Sequence, residues 1–291
     1  MCYTKAVRIA VVGDVHLAWD DRDVSSLDGA GYDLVLFVGD LAGYGAEGAV
    51  RVARSIAKLR TPTLVLPGNH DAVTTAQLGA EVFYTSPLMR EALAVGMGRR
   101  VKRLARALGP VPLVGYSLHR FGTLCVLAAR PHSIGGPRLG FRRYLNQRFG
   151  VSTLADSTAR LCALFDDIAP GEDILVLAHC GPRGLGATRD SIYGNDFRAE
   201  QGDWGDPDLA DALAHAARSG KIVRAVVAGH MHHRLRGGGQ RTWQLERDGV
   251  LHVNAARVSR RKRSGERHHV RLTLGPAEVT AEAVWLQAPP E

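Results

Sequence analysis

Ile9-Ala10-Val11-Val12-Gly13-Asp14-Val15-His16 is the stretch on which the fold turns. Its apolar run, Ile9 to Val12, reads as a buried strand. The run stops at Gly13, and Asp14 and His16 follow with one residue between them. Where the chain stays extended, both side chains point to the same face. A carboxylate and an imidazole at the exposed end of a buried strand suit a divalent metal ion.

Four more apolar strands end the same way. Asp33 to Val38 runs into Gly39-Asp40, and Thr63 to Leu66 into Pro67-Gly68-Asn69-His70-Asp71. Ile174 to Ala178 runs into His179, and Ile222 to Ala228 into Gly229-His230-Met231-His232. Between the second and third strands, Gly48 to Arg60 has helical spacing. Ala49, Val52, Ala53, Ile56 and Leu59 fall on one face, with Arg51, Arg54 and Lys58 opposite. This alternation predicts an α/β protein with a parallel portion of sheet near the N-terminus. Sites in such sheets form at the C-terminal strand ends. A lone histidine at a strand end is usually only a satisfied polar residue. Asp14-x-His16 and His230-x-His232 each put two ligands on one face, and metal-competent residues at five strand ends together leave that bland reading little room.

The middle of the chain is less regular. Leu88 to Leu108 reads as a basic helix, Val111 to Val114 and Thr123 to Leu127 as strands, and 130–140 as a Gly- and Pro-rich loop. We expect one domain over residues 1–291, with a basic inserted or capping segment at about 85–150. A helix is expected over Val151 to Ile168, and another with Asp206 as cap and Pro207 in its first turn. From Thr242 the pattern is antiparallel β: Thr242 to Glu246, Val250 to Val253, His269 to Leu274 and Val279 to Leu286. The acidic run Asp20, Asp21, Asp23 reads as loop. Trp19, Tyr44 and Tyr193 are candidate pocket aromatics. His119, His132, His215, His233, His252, His268 and His269 read as surface or turn residues, with His233, next to His232, also a candidate support behind the cluster.

At 291 residues and 45% hydrophobic, the chain can bury a sizeable core. No apolar run is long enough to span a bilayer, and the N-terminus lacks signal-peptide character, so a soluble, cytoplasmic protein is expected. Cys2, Cys125, Cys162 and Cys180 have no paired spacing, which argues against a disulfide framework or a zinc ribbon. The net charge of +8 is concentrated between Arg90 and Arg148 and in Arg257-Val258-Ser259-Arg260-Arg261-Lys262-Arg263. Positive surface attracts phosphorylated substrates or nucleic acid, although a solvated basic face is the commoner meaning.

The strand-end motifs, in this order and spacing, resemble the calcineurin-like metallophosphoesterases, from Ile9 to about Val253. The resemblance implies a four-layer αββα sandwich with two mixed β-sheets and a dinuclear metal centre. Asp14, His16, Asp40 and His232 would hold one ion. Asp40, Asn69, His179 and His230 would hold the other, with Asp40 bridging. The donors suit Mn, Fe, Zn or Co, with Mn²⁺ the first expectation and Mg²⁺ also possible chemically. Two such ions clamp a phosphoryl group, and a water bridging them loses a proton near neutral pH to become the nucleophile. By the same resemblance His70 is not a ligand but the general acid for the leaving oxygen. Asp71 either orients its ring or serves the turn.

Two further comparisons refine the expectation. The Ser/Thr protein phosphatases of this superfamily follow their Gly-Asp with an Asp-Arg pair, which Gly39-Asp40-Leu41-Ala42-Gly43 lacks. Another group must then orient His70 and bind phosphate, with Arg183 and Arg189 as candidates. Phe37-Val38-Gly39-Asp40, His179-Cys180-Gly181-Pro182, Gly184-Leu185-Gly186, Gly205-Asp206-Pro207-Asp208-Leu209 and Val253-Asn254-Ala255-Ala256-Arg257 look like the DevT-like metallophosphatases of cyanobacteria and plants. The expected activity is phosphomonoester hydrolysis, on a small molecule or a phosphoprotein. The alternatives are a phosphodiesterase on cyclic nucleotides or nucleic acid, and a nucleic-acid-binding or scaffold protein that keeps the fold.

Overall fold

The computed structural model describes residues 6–43 and 45–287. The opening strand, β1 (Val7–Val12), lies parallel to β2 (Leu34–Phe37), which lies parallel to β3 (Thr63–Val65). On its other side β1 pairs antiparallel with β10 (Glu266–Leu274), and β10 with β11 (Val279–Gln287). A second sheet runs β4 (Ser117–Phe121), β5 (Leu124–Ala128), β6 (Asp173–Leu177), β7 (Ile222–Ala228), β9 (Val250–Asn254), β8 (Gln244–Arg247). Its four inner strands are parallel and its two edge strands antiparallel.

Alternation along each strand explains why the two mixed sheets stack. Ile9, Val11, Leu34, Leu36 and Leu64 point from the first sheet into one cluster with Leu124, Val126, Leu175, Leu177, Ala225 and Val227 from the second. Their neighbours Ala10, Val12, Val35, Phe37, Ile174, Val176 and Val226 point the other way, into the cluster that holds the helices. Each sheet is therefore apolar on both faces, as buried parallel strands require. Full burial of each Leu, Ile or Val contributes roughly 1.5–3 kcal/mol.

The helices are α1 (Asp21–Asp28), α2 (Ala46–Ile56), α3 (Thr75–Val82), α4 (Pro87–Leu93), α5 (Met97–Ala107), α6 (Arg142–Phe149), α7 (Leu154–Asp166) and α8 (Pro207–Arg218). The acidic stretch read as loop is the start of α1. Asp20 caps it, and Asp23 completes a capping box with the Asp20 backbone. The single helix expected over Leu88 to Leu108 is two, α4 and α5, because the chain turns at Gly96 with φ +80°. Met97, Val101 and Leu104 form the buried face of α5, which packs on α2. Val111 to Val114 is no strand but a single bridge, Val65 to Leu113; Pro112 has no N–H for a longer ladder.

Burial reverses several surface readings. His132, His233, His252, His268 and His269 are all buried. Asp206 and Asp208, at the start of α8, hold the buried Arg130 guanidinium: Nε donates to Asp208 Oδ2 at 2.8 Å and Nη2 to Asp206 Oδ1 at 2.5 Å. Much of the 257–263 basic cluster is neutralised internally. Arg260 and Arg267 donate to the buried Asp23 at 2.6 and 3.0 Å, and Arg261 pairs with Asp20 at 3.0 Å. Arg257 and Lys262 lie over the Trp285 ring. The acidic and basic runs are thus each other's partners. Among the described residues no helix is long and apolar enough to cross a membrane.

Candidate metal centre

The C-terminal ends of β1, β2, β3, β6 and β7 converge, and the turns there are unusual. Asp14, His16, Asp40 and His230 have φ of 39°, 41°, 54° and 69°, in the left-handed region that side chains rarely adopt. Such outliers persist only where the surroundings hold them. Here backbone bonds do so: His16 N–H donates to the Asp40 carbonyl at 2.8 Å and Gly229 N–H to the His179 carbonyl at 2.8 Å. The glycine before each motif makes room. A Cβ on Gly68 would overlap Asp40 Oδ1, and one on Gly13 would overlap the Ala255 carbonyl.

Asp14, Asp40, Asn69 and His179 form a buried floor, and His16, His70, His230 and His232 a half-buried rim. Ligand atoms of Asp14, His16 and His232 lie within 4.8 Å of one another, as do those of Asp40, His179 and His230. Asp40 joins the two trios. Its Oδ1 is 3.5 Å from His179 Nε2 and its Oδ2 3.8 Å from His16 Nε2. The structure thus brings together all seven residues that the resemblance names as ligands.

The far-side nitrogens are committed to carbonyls. His16 Nδ1 donates to Ala42 O at 3.0 Å, His179 Nδ1 to Val38 O at 2.7 Å and His70 Nδ1 to Gly43 O at 2.8 Å. In a neutral ring this leaves the lone pair on Nε2, aimed inward. His179 Nε2 then faces Asn69 Oδ1 at 2.8 Å, and His230 Nδ1 faces the same oxygen at 2.9 Å. His16 Nε2 and His232 Nε2 face each other at 3.1 Å. With Nδ1–H given to Val38, the His179 Nε2 lone pair faces the Asn69 oxygen, and a cation bound by both would relieve their repulsion, so the donor set fits metal ions.

Electrostatics agree. Burial, reinforced by the Asp40 charge, holds Asp14 well above the usual carboxylate range. Burial also pulls Asp40 upward, but the imidazoles of His179, His70 and His16 outweigh it and leave its carboxyl low. Burial lowers His179, and brings His230 down to about 3 and His232 to about 4, so these rings stand neutral with lone pairs available. Among the described residues no Lys or Arg is paired with Asp14 or Asp40. Two buried carboxylates side by side, with only imidazoles near them, are the setting a cation would relieve.

His70 N–H donates to Asp40 Oδ1 at 2.9 Å, and its Nε2 stands 4.0 Å from Asp40 Oδ2. The group fixing its ring is the Gly43 carbonyl. Asp71 does something else: Ala42 N–H and Gly68 N–H donate to its two oxygens at 3.0 and 2.9 Å, tying the β2 and β3 loops together. Of the two roles expected for Asp71, these bonds are those of the turn.

Trp19 and Tyr193 are core residues, not pocket aromatics, and Tyr44 lies outside the described residues. Arg183 is exposed and lines a cavity whose lining includes none of the candidate ligands. Two supports escaped the sequence reading. Buried Arg241 donates from Nε to the His232 carbonyl at 3.0 Å and from Nη1 to the Ser191 and Gly194 carbonyls at 2.8 and 2.6 Å. Asn254 Nδ2 donates to the Met231 carbonyl at 2.7 Å. Asn254 stood in a quoted motif with no role attached; Arg241 carried no local signal.

The family model described as calcineurin-like phosphoesterase matches residues 7–234. No curated protein sequence matches the chain. Among solved structures, PhoD superposes with TM-score 0.57 at 12% identity, over 98% of this chain and 67% of that one. TT1561 of Thermus thermophilus superposes with TM-score 0.52 at 13% identity, over 96% of this chain and 99% of that one. These likenesses are of fold.

Proposed function

The chain belongs to the calcineurin-like phosphoesterase family, and we propose that it hydrolyses phosphate monoesters using two divalent metal ions, Mn²⁺ first among them. The observation that carries this reading is Asp40 between two trios of metal-competent side chains. Asp14, His16, Asp40 and His232 would hold one ion; Asp40, Asn69, His179 and His230 would hold the other. Bound there, the ions supply Lewis-acid activation of water and charge stabilisation at phosphorus. The protein's own groups do the rest. Val38, Ala42 and Gly43 carbonyls aim the imidazoles, and His70, with Nδ1–H given to Gly43, presents Nε2 on the Asp40 side. With a proton on Nε2 it serves as general acid to the leaving oxygen. The DevT-like motifs favour a phosphomonoester, a phosphoprotein included, over a diester, and the motif residues Asp206 and Asn254 are built into the frame.

The test is hydrolysis of p-nitrophenyl phosphate and bis-p-nitrophenyl phosphate side by side, after reconstitution with Mn²⁺, Fe²⁺, Zn²⁺, Co²⁺ or Mg²⁺ in turn. We expect Mn²⁺-stimulated hydrolysis of the monoester, and loss of metal and activity together in Asp40→Asn. Faster diester cleavage would favour the phosphodiesterase reading. No hydrolysis with any ion would leave the scaffold reading.

A further inference from the structure

The cavity that Arg183 lines, about 470 Å³, opens between the loops that follow β5 and β6 and the end of α3. That volume is in the range that holds small-molecule ligands. Three guanidinium groups line it, those of Arg138, Arg183 and Arg198, together with Trp204, Tyr84 and the exposed Phe83. Phe83 is 71% exposed, a large apolar ring left in water. Arg138 lies over the Tyr84 ring at 4.5 Å from its centroid. The acid on the wall, Asp203, is already engaged: Gly184 N–H and Gly205 N–H donate to its two oxygens at 2.7 and 2.9 Å. The cavity is therefore cationic and aromatic together.

Its walls are built rather than incidental. Trp204 Nε1 donates to the Ile134 carbonyl at 2.8 Å, and Gly136 N–H to the Trp204 carbonyl at 2.7 Å. Gly135 and Gly136 lie so close to Trp204 that a Cβ on either would collide with it. These contacts lock the indole against the β5 loop.

We propose that this cavity binds a nucleoside phosphate, its base against Trp204 and Phe83 and its phosphates among Arg138, Arg183 and Arg198. Guanidinium groups match phosphate oxygens in pairs, and aromatic side chains stack on a base. Neither half alone selects a nucleotide: inorganic phosphate needs no rings, and an apolar ligand needs no arginines. The proposal does not depend on the metal centre.

The test is calorimetric titration of the metal-loaded full chain with adenosine 5′-(α,β-methylene)diphosphate, which resists hydrolysis, and with inorganic pyrophosphate and adenosine. The analogue should bind more tightly than either fragment. Arg183→Ala and Arg198→Ala should each weaken it at least tenfold, with the melting temperature unchanged. Phe83→Ala, at an exposed position, should weaken the analogue but not pyrophosphate. No binding of the analogue at millimolar concentration, or binding indifferent to the arginine variants, overturns the proposal. Pyrophosphate binding as tight as the analogue, unmoved by Phe83→Ala, also overturns it, leaving a plain anion site. An enzyme active on phosphomonoesters that ignores the analogue refutes this inference alone. Binding retained in an Asp40→Asn chain without activity supports it alone.

Discussion

At Gly68 there is no space for even one methyl group. Alanine there would press on Asp40 Oδ1, the Asp40 amide nitrogen and the His179 ring, all parts of the centre. We expect Gly68→Ala to lower metal content and activity at least tenfold, measured by elemental analysis and monoester hydrolysis. His70→Ala should behave differently. Loss of a general acid typically costs on the order of 10²–10⁴ in rate, and with the ligands intact, elemental analysis should still find metal. Metal loss there would make His70 a ligand. Asp71→Ala should destabilise by about 1–3 kcal/mol in urea denaturation, since Ala42 and Gly68 amides would lose their buried acceptor. The metal-competent residues were legible because each single residue or pair follows an apolar run in the sequence. The Gly43 carbonyl was not, since every residue carries a carbonyl and only the folded chain says which one meets His70.

Among the elements, the buried strands and the longer helices were legible and the short acidic α1 was not. Ile174 to Ala178 can be little else than a buried strand. Asp21–Asp28, capped by an acid and carrying acids in its first turn, buries only Asp23, Val24 and Leu27, too few apolar positions to betray a helix. The α8 N-terminus was legible as Asp206-Pro207, but not the direction of its cap. Asp206 turns to Arg130 and Ser133, with Ser133 Oγ donating at 2.6 Å. Arg130 thereby ties the β5 end to α8. Arg130→Ala would strand two buried carboxylates, and we expect a loss of about 3–5 kcal/mol in denaturant unfolding. Burial, opposed by Arg130, holds Asp206 up at about 7, so protonation would partly relieve the variant. Its deficit should shrink below pH 7, and a pH-independent deficit would point to lost packing instead.

For the whole molecule, buried histidines dominate the response to acid. Burial brings His252 down to about 4, His269 to about 3 and His268 to about 2. An unfolded histidine takes up its proton near pH 6.5, so the unfolded state binds more protons below that value. The stability these rings supply is complete above pH 6.5 and is lost as pH falls toward their folded values, by roughly 2 kcal/mol per ring at pH 5. Asp71 and Asp206, both raised to about 7 chiefly by burial, act with the opposite sign over the same window, but the lowered histidines outnumber them. We expect the melting temperature to fall between pH 7 and pH 5 and the His252→Gln chain to fall less. A flat profile would contradict this.

β1 sits between β2, which follows it closely, and β10, which begins at Glu266. A nascent chain emerging from the ribosome therefore completes the flank of β1 only after β10 has been made. Until then the segment carrying Asp14 and His16 has an open edge, the kind that invites mispairing with other chains. Synthesis of β1 and closure of its flank are separated by translation of everything from β2 to β10, and chaperone demand should concentrate in that interval.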